Sequence, residues 1–155
     1  MTSWRHKATP QAQDDLDGLL NAALPFAQQM LDEHGEFFPY GVALDEAGDQ
    51  RMLAGDPGQG EHPASLDVLA TLVEGLRRER ASLRAVAFVS DIRLSDSDAV
   101  RVELEHRDGH AMAVFLPYKT TRFPRVVELG GLSAGPTSPR VWNLELSASR
   151  AASET

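Results

Sequence analysis

Three Glu-His dipeptides, Glu33-His34, Glu61-His62 and Glu105-His106, are the residues of this chain best suited by type to metal or proton chemistry. Imidazole and carboxylate are the usual metal ligands and the usual proton carriers in general acid–base catalysis. Their spacing argues against both uses. Neighbouring residues in a strand point to opposite faces, so Glu105 and His106 cannot share a ligand set. His34 falls on the apolar stripe at the end of a helix, where a cation complements the dipole. The HExxH spacing of helical zinc sites is absent. No metal site, cofactor or catalytic residue is assigned on these grounds.

Other chemistries fare no better. The loop Gly55-Asp56-Pro57-Gly58-Gln59-Gly60-Glu61 precedes a helix but lacks a Walker lysine, and its two acids repel phosphate. Asp45, Asp49, Asp91, Asp96 and Asp98 lack the register of a calcium loop and read as turn residues. No G-x-S-x-G elbow is present, although a triad assembled in space leaves no such trace. The remaining group is His34, Glu36 and Tyr40 with the Phe37-Phe38 pair. Core packing accounts for Phe38 and Tyr40, and solvation of a turn for Glu36. The functional alternative is an amphipathic pocket or partner surface at the end of the first helix, with Tyr118 as a neighbour.

The composition narrows the class. The 155 residues carry a net charge of −8 and no cysteine, which excludes disulfide frameworks and thiolate metal sites and disfavours nucleic acid as a partner. No apolar run approaches the roughly 20 residues of a membrane span, and the start of the chain lacks a signal-peptide h-region. A cytoplasmic protein follows as the default. Arg predominates over Lys, as in GC-rich bacterial genomes. The Arg77, Arg78, Arg80 and Arg84 cluster reads as cations at a helix C-terminus.

The elements that must position these residues follow from periodicity. A flexible arm spans 1–9, a single domain 10–146 and a disordered tail 147–155. Leu16, Leu19, Leu20, Ala23, Leu24, Ala27, Met30 and Leu31 make one helical stripe from Pro10 to His34, with Thr9 as N-cap and Gly35 as C′ residue. Asp14 and Asp15 are alternative caps of a shorter helix, and Pro25 is expected to kink it. Strands are expected over Phe37–Asp45 and Gln50–Ala54, then a loop over 55–63. A second helix over Pro63–Arg80 buries Leu66, Leu69, Leu72, Val73 and Leu76. Leu83–Leu94 is a third strand, apolar on both faces, and Arg125–Leu129 and Val141–Leu146 are later strands around a Gly/Pro/Ser loop at 130–139. The fold class is α+β: an antiparallel sheet of about five strands with two main helices, in the order α-β-β-α-β-β-β.

Residues 99–118 form the central hairpin. Val100, Val102 and Leu104 alternate with Arg101, Glu103 and Glu105, and Asp108-Gly109 suits a two-residue type I′ turn. That loop sets Leu104 opposite Ala113 and Val102 opposite Phe115 on the core face. It leaves Met112, Val114 and Leu116 on the second face, needing a cover. It also pairs His110 with Arg107 and sends His106 and His110 to opposite, surface positions.

Two resemblances enter here. The element order resembles the profilin and roadblock/longin group, which has a five-stranded antiparallel sheet between helices. The segments Gly35-Glu36-Phe37-Phe38-Pro39-Tyr40-Gly41 and Glu103-Leu104-Glu105-His106-Arg107-Asp108-Gly109, followed by Leu116-Pro117-Tyr118, resemble a family of small uncharacterised bacterial proteins over roughly 14–129. That resemblance implies a fold and no activity. Two functions are expected in turn. The first is a non-catalytic protein-interaction module, self-associating as a homodimer through the apolar third and fifth strands, or binding a basic protein partner as an immunity protein binds a toxin. The alternative is a small-ligand-binding protein or small enzyme with a pocket between the first helix and the sheet.

Overall fold

A computed structural model describes residues 9–54 and 65–142; the expected arm, the loop at 55–63 and the tail fall wholly or almost wholly outside them. The elements are α1 (Pro10–His34), β1 (Tyr40–Asp45), β2 (Gln50–Ala54), α2 (Ser65–Glu79), β3 (Leu83–Arg93), β4 (Asp98–His106), β5 (Ala111–Arg122), β6 (Arg125–Leu129) and β7 (Ser133–Pro136). The fold is α+β, with a curled antiparallel sheet ordered β2-β1-β3-β4-β5-β6 and β7 paired to β5. No described helix is long and apolar enough to cross a membrane.

The first helix begins and ends where its capping residues place it. Thr9 is extended and its hydroxyl accepts from the Ala12 amide at 3.1 Å, which satisfies one of the unpaired donors of a helix start. Gly35 adopts φ 76° and returns its amide to the Leu31 carbonyl at 2.8 Å, a left-handed termination open to glycine. Asp15 therefore sits inside the helix rather than capping it. Leu16, Leu19, Ala23, Ala27 and Leu31 are buried against the sheet.

The sheet is covered on both faces by this one chain. Tyr40, Val42, Leu44, Ala85, Ala87, Val89, Val100, Val102 and Leu104 face α1. Ala43, Val86 and Phe88 face α2, packed with Val68, Leu69, Leu72 and Leu76. Gly41 suits the tight contact with β3, since a Cβ there would stand 3.3 Å from the Ala87 carbonyl oxygen, with Leu72 of α2 at 3.8 Å. β3 lies between β1 and β4. Its two apolar faces are those of a central strand and not a dimer surface.

Four expectations are corrected. The hairpin loop is one residue longer than a type I′ turn. His106 pairs with His110, the His106 amide donating to the His110 carbonyl at 2.8 Å, and only Gly109 in the loop has positive φ, 103°. This is the three-residue loop in which a type I turn is followed by a left-handed glycine. Asp108 stays at negative φ because its carboxylate accepts the His110 amide at 3.1 Å. The register therefore pairs Val100 with Leu116, Val102 with Val114 and Leu104 with Met112. A one-residue slip exchanges the faces of a strand, so Met112, Val114 and Leu116 join the core under α1. The cover that they needed is the first helix.

The second correction concerns Leu66, which is 80% exposed; it lies roughly a quarter-turn round α2 from the buried stripe at 100° per residue. The third is the start of β1 at Tyr40 rather than Phe37: Pro39 has no amide to donate to a ladder, and Phe38 is 47% exposed. The fourth is the strand β7 within the expected 130–139 loop, while Val141 and Trp142 are not in a strand. The rest of the expected strand at 143–146 lies outside the described residues.

Candidate functional site

Two polar clusters sit beneath α1. Towards its N-terminal end, the buried Asp15 carboxylate pairs with Arg84 of β3 and lies 2.9 Å from Nε2 of His106 of β4. The Asp108 amide donates to His106 Nδ1 at 3.2 Å. That bond assigns the ring proton to Nε2, from which it is donated to Asp15. Asp108 in turn holds His110 Nδ1 at 2.8 Å. Burial raises the Asp108 pKa, but hydrogen bonds from the His110 side chain and amide, with the His106 and His110 rings acting in the same direction, outweigh it and lower the carboxyl overall. This run of side chains links α1, β3, β4 and the β4–β5 loop by hydrogen bonds and ion pairs. His106 is thus a buried residue and not a surface one. Arg84 serves Asp15, whereas the expected role was at a helix terminus.

Towards the other end of α1 the packing opens. A cavity of about 800 Å³ lies between the last turns of α1, the connector 35–39 and the ends of β1 and β2. His34, Glu36 and Tyr40 all line it. Phe26 and Phe37 pack edge-on against Tyr40, with ring centroids 4.8 Å and 5.8 Å away, building an aromatic wall. The Tyr40 hydroxyl is turned away to donate to the Ala23 carbonyl at 2.6 Å, and burial pushes its pKa up. Asp91 of β3 forms the polar floor.

Tyr118 does not line the cavity itself. Its hydroxyl donates to Asp91 Oδ1 from behind. Burial raises the Asp91 pKa, the Tyr118 hydrogen bond lowers it, the charges of Asp98 and Glu36 raise it and the Phe37 amide lowers it; the net direction is upward. Tyr118 is raised by burial and by its carboxylate partner. His34, at the rim, lies 3.7 Å from Glu33. All four sequence candidates thus belong to one neighbourhood, three directly and Tyr118 through Asp91.

Sequence reasoning missed Asp91, Asp15 and Arg84. A signal existed for the two acids. In β3 the positions Ala85, Ala87, Val89 and Asp91 share the α1 face by the period of two, so Asp91 is a carboxylate on a core face and not a turn residue. Asp15 stands between Ala12 and Leu19 on the α1 stripe at helical spacing. Asp45 and Asp49 are the turn residues they were taken for, with the Asp49 amide on Asp45 Oδ1 at 3.0 Å.

The opposite face of β4 carries a third polar cluster. Glu105 accepts the backbone amides of Arg140, Val141 and Trp142 at 2.6–3.0 Å. Arg77 and Arg80 of α2 and its following turn donate to the Arg140 and Val141 carbonyls at 2.6 and 3.3 Å. These contacts seat Val141 in the α2 core. The arginines are therefore clamps on a backbone segment as well as cations at a helix end.

Among the described residues, no group of three or more His, Asp or Glu side chains is placed to hold a metal ion. Compared with known proteins, the chain matches no family model, no curated protein and no solved structure.

Proposed function

We propose that this chain is a non-catalytic small-ligand-binding protein whose site is the cavity beneath the C-terminal half of α1. The observation that carries the reading is the convergence of His34, Glu36, Tyr40 and the Tyr118-held Asp91 on one cavity of about 800 Å³. Its size falls within the range of small-molecule sites, and an apolar wall with few polar groups is their usual lining. A raised carboxyl such as Asp91 also suits proton transfer. The reading as a binding site, without catalysis, draws on Tyr40, which spends its hydroxyl on a backbone carbonyl.

The test is a titration with the neutral probe 4-phenylbutan-1-ol, followed by amide chemical shifts. Shifts confined to residues around 34–40, 52–54 and 91, and diminished in Ala54→Trp, support the reading. Shifts spread evenly over the surface, or unchanged in Ala54→Trp, refute it.

A second reading, a self-associating protein-interaction module, draws on a separate observation. Phe123, at the tip of the β5–β6 hairpin, is 98% exposed, and Val126 beside it on β6 is also exposed. This surface replaces the third and fifth strands on which self-association was first argued. A basic protein partner remains compatible with the charge of −8. Membership of the bacterial family resembling segments 35–41 and 103–109, a profilin- or roadblock-like topology and a cytoplasmic location belong to the same proposal; the element order supports the topology.

A further inference from the structure

We propose that the ligand of this cavity is a small organic cation, an amine on an apolar or aromatic body, with Asp91 as its counter-ion. The inference rests on the reading of the cavity as a ligand site and adds the charge of what it takes. The acids lining the cavity are Glu36 at the rim and Asp91 at the floor. His34 is the basic side chain among the described lining residues; its exposed ring is turned to Glu33. An anion entering here meets two carboxylates, with Asp98 near enough to act on Asp91. An amine meets the complementary field.

Asp91 also retains room for a partner. A carboxylate offers about four acceptor positions. Tyr118 takes one and the Phe37 amide another, both fixing the group without neutralising it. The next cation along β3, Arg93, is committed to Asp98 at 3.2 Å. The unneutralised Asp91 is therefore different from Asp15, which has its guanidinium. The rings of Phe26, Phe37 and Tyr40 supply the apolar contact for the body of the ligand, and π faces attract a cation carried past them.

Three probes of one shape separate the terms: 4-phenylbutylamine, 4-phenylbutan-1-ol and 4-phenylbutyrate, titrated at neutral pH and low salt. The amine is expected to bind at least about fivefold tighter than the alcohol, as a partly exposed ion pair provides, and the carboxylate weakest. In Asp91→Asn the amine is expected to lose most of its advantage over the alcohol, with alcohol binding retained and the remainder due to Glu36. Glu36→Gln, on an exposed residue, narrows the gap without closing it and keeps the test available should Asp91→Asn fold poorly. Carboxylate binding as tight as amine, or an amine preference undiminished in Asp91→Asn, overturns the cation assignment and leaves the ligand site standing. Failure of all three probes to bind at the cavity overturns the site reading as well.

Discussion

The two ends of α1 treat an aspartate in opposite ways: Asp15 is buried, and Asp91 is half-buried. Asp15 meets a guanidinium and an imidazole, and among the described residues no buried side-chain polar atom of that cluster lacks a partner. Asp91 meets a hydroxyl and an amide on one side and a cavity on the other. Closing a charge with opposite charge and hydrogen bonds makes it structural, because removal of one member strands the rest. Holding a charge with neutral donors beside open volume leaves it able to receive something else. The same helix thus covers an anchor and a candidate receptor.

The largest effect is expected at the closed end. Asp15→Ala leaves the Arg84 guanidinium and the His106 Nε2 proton buried without their acceptor, at a cost of about 3–5 kcal/mol. The urea midpoint at pH 7 reads it, and a loss below about 1 kcal/mol shows that the cluster is not the anchor its geometry describes. Glu105→Ala should follow with a loss of about 2–3 kcal/mol, since three amides of the 140–142 segment lose one acceptor. Trp142 offers a local fluorescence signal. If it changes at lower urea than the far-ultraviolet signal in this variant, the segment is released before the sheet.

How much of this was legible depends on whether a neighbour in sequence or a neighbour in space decided it. Pro10, Thr9 and Gly35 are local signals, and α1 has the bounds they imply. The strand order and the coverage of β3 depend on long-range pairing, so its apolar faces were mistaken for an interface. The hairpin failed at a single residue. Asp108-Gly109 fits either a two- or a three-residue loop, and the choice was made by the Asp108 carboxylate on the His110 amide together with the burial of Met112, Val114 and Leu116 under α1. For the site, the residue types at 34, 36, 40 and 118 drew attention to the right region. The partner that joins them, Asp91, was hidden among acids that do sit in turns. Only its strand parity distinguished it.

At the open end the expected effect is smaller and has a different sign. Burial leaves the folded Asp91 pKa above its ordinary 3.8. The folded state then binds this proton more tightly than the unfolded state, so the contribution is present below pH 3.8 and is lost as pH rises through the folded value. Asp91→Asn lacks that decline. Relative to the parent it should gain stability on going from acid to neutral pH, and at pH 7 it should be no less stable than about 1 kcal/mol below the parent, the worth of a typical hydrogen bond. Asp108 runs the other way, its pKa being lowered in the fold: its contribution is present above its ordinary value and lost as pH falls through the folded one. Urea midpoints of parent, Asp91→Asn and Asp108→Asn from acid to neutral pH separate the two. Parallel curves for parent and Asp91→Asn would remove the distinction between the ends of α1.

The smallest effect belongs to the hairpin tip, where it discriminates between the two functions. Phe123 is exposed in the monomer, so Phe123→Ser should move stability by no more than about 0.5 kcal/mol. It should leave amine binding beneath α1 untouched, because Phe123 does not line that cavity. If the hairpin is also a self-association surface, light scattering at high concentration should show a mass above 16.9 kDa for the parent that falls to 16.9 kDa in Phe123→Ser. A parent already at the monomer mass removes the second reading, since an apolar surface that drives association must do so where copies are abundant. The cavity then stands as the sole function proposed for the chain, and its test is independent of that result.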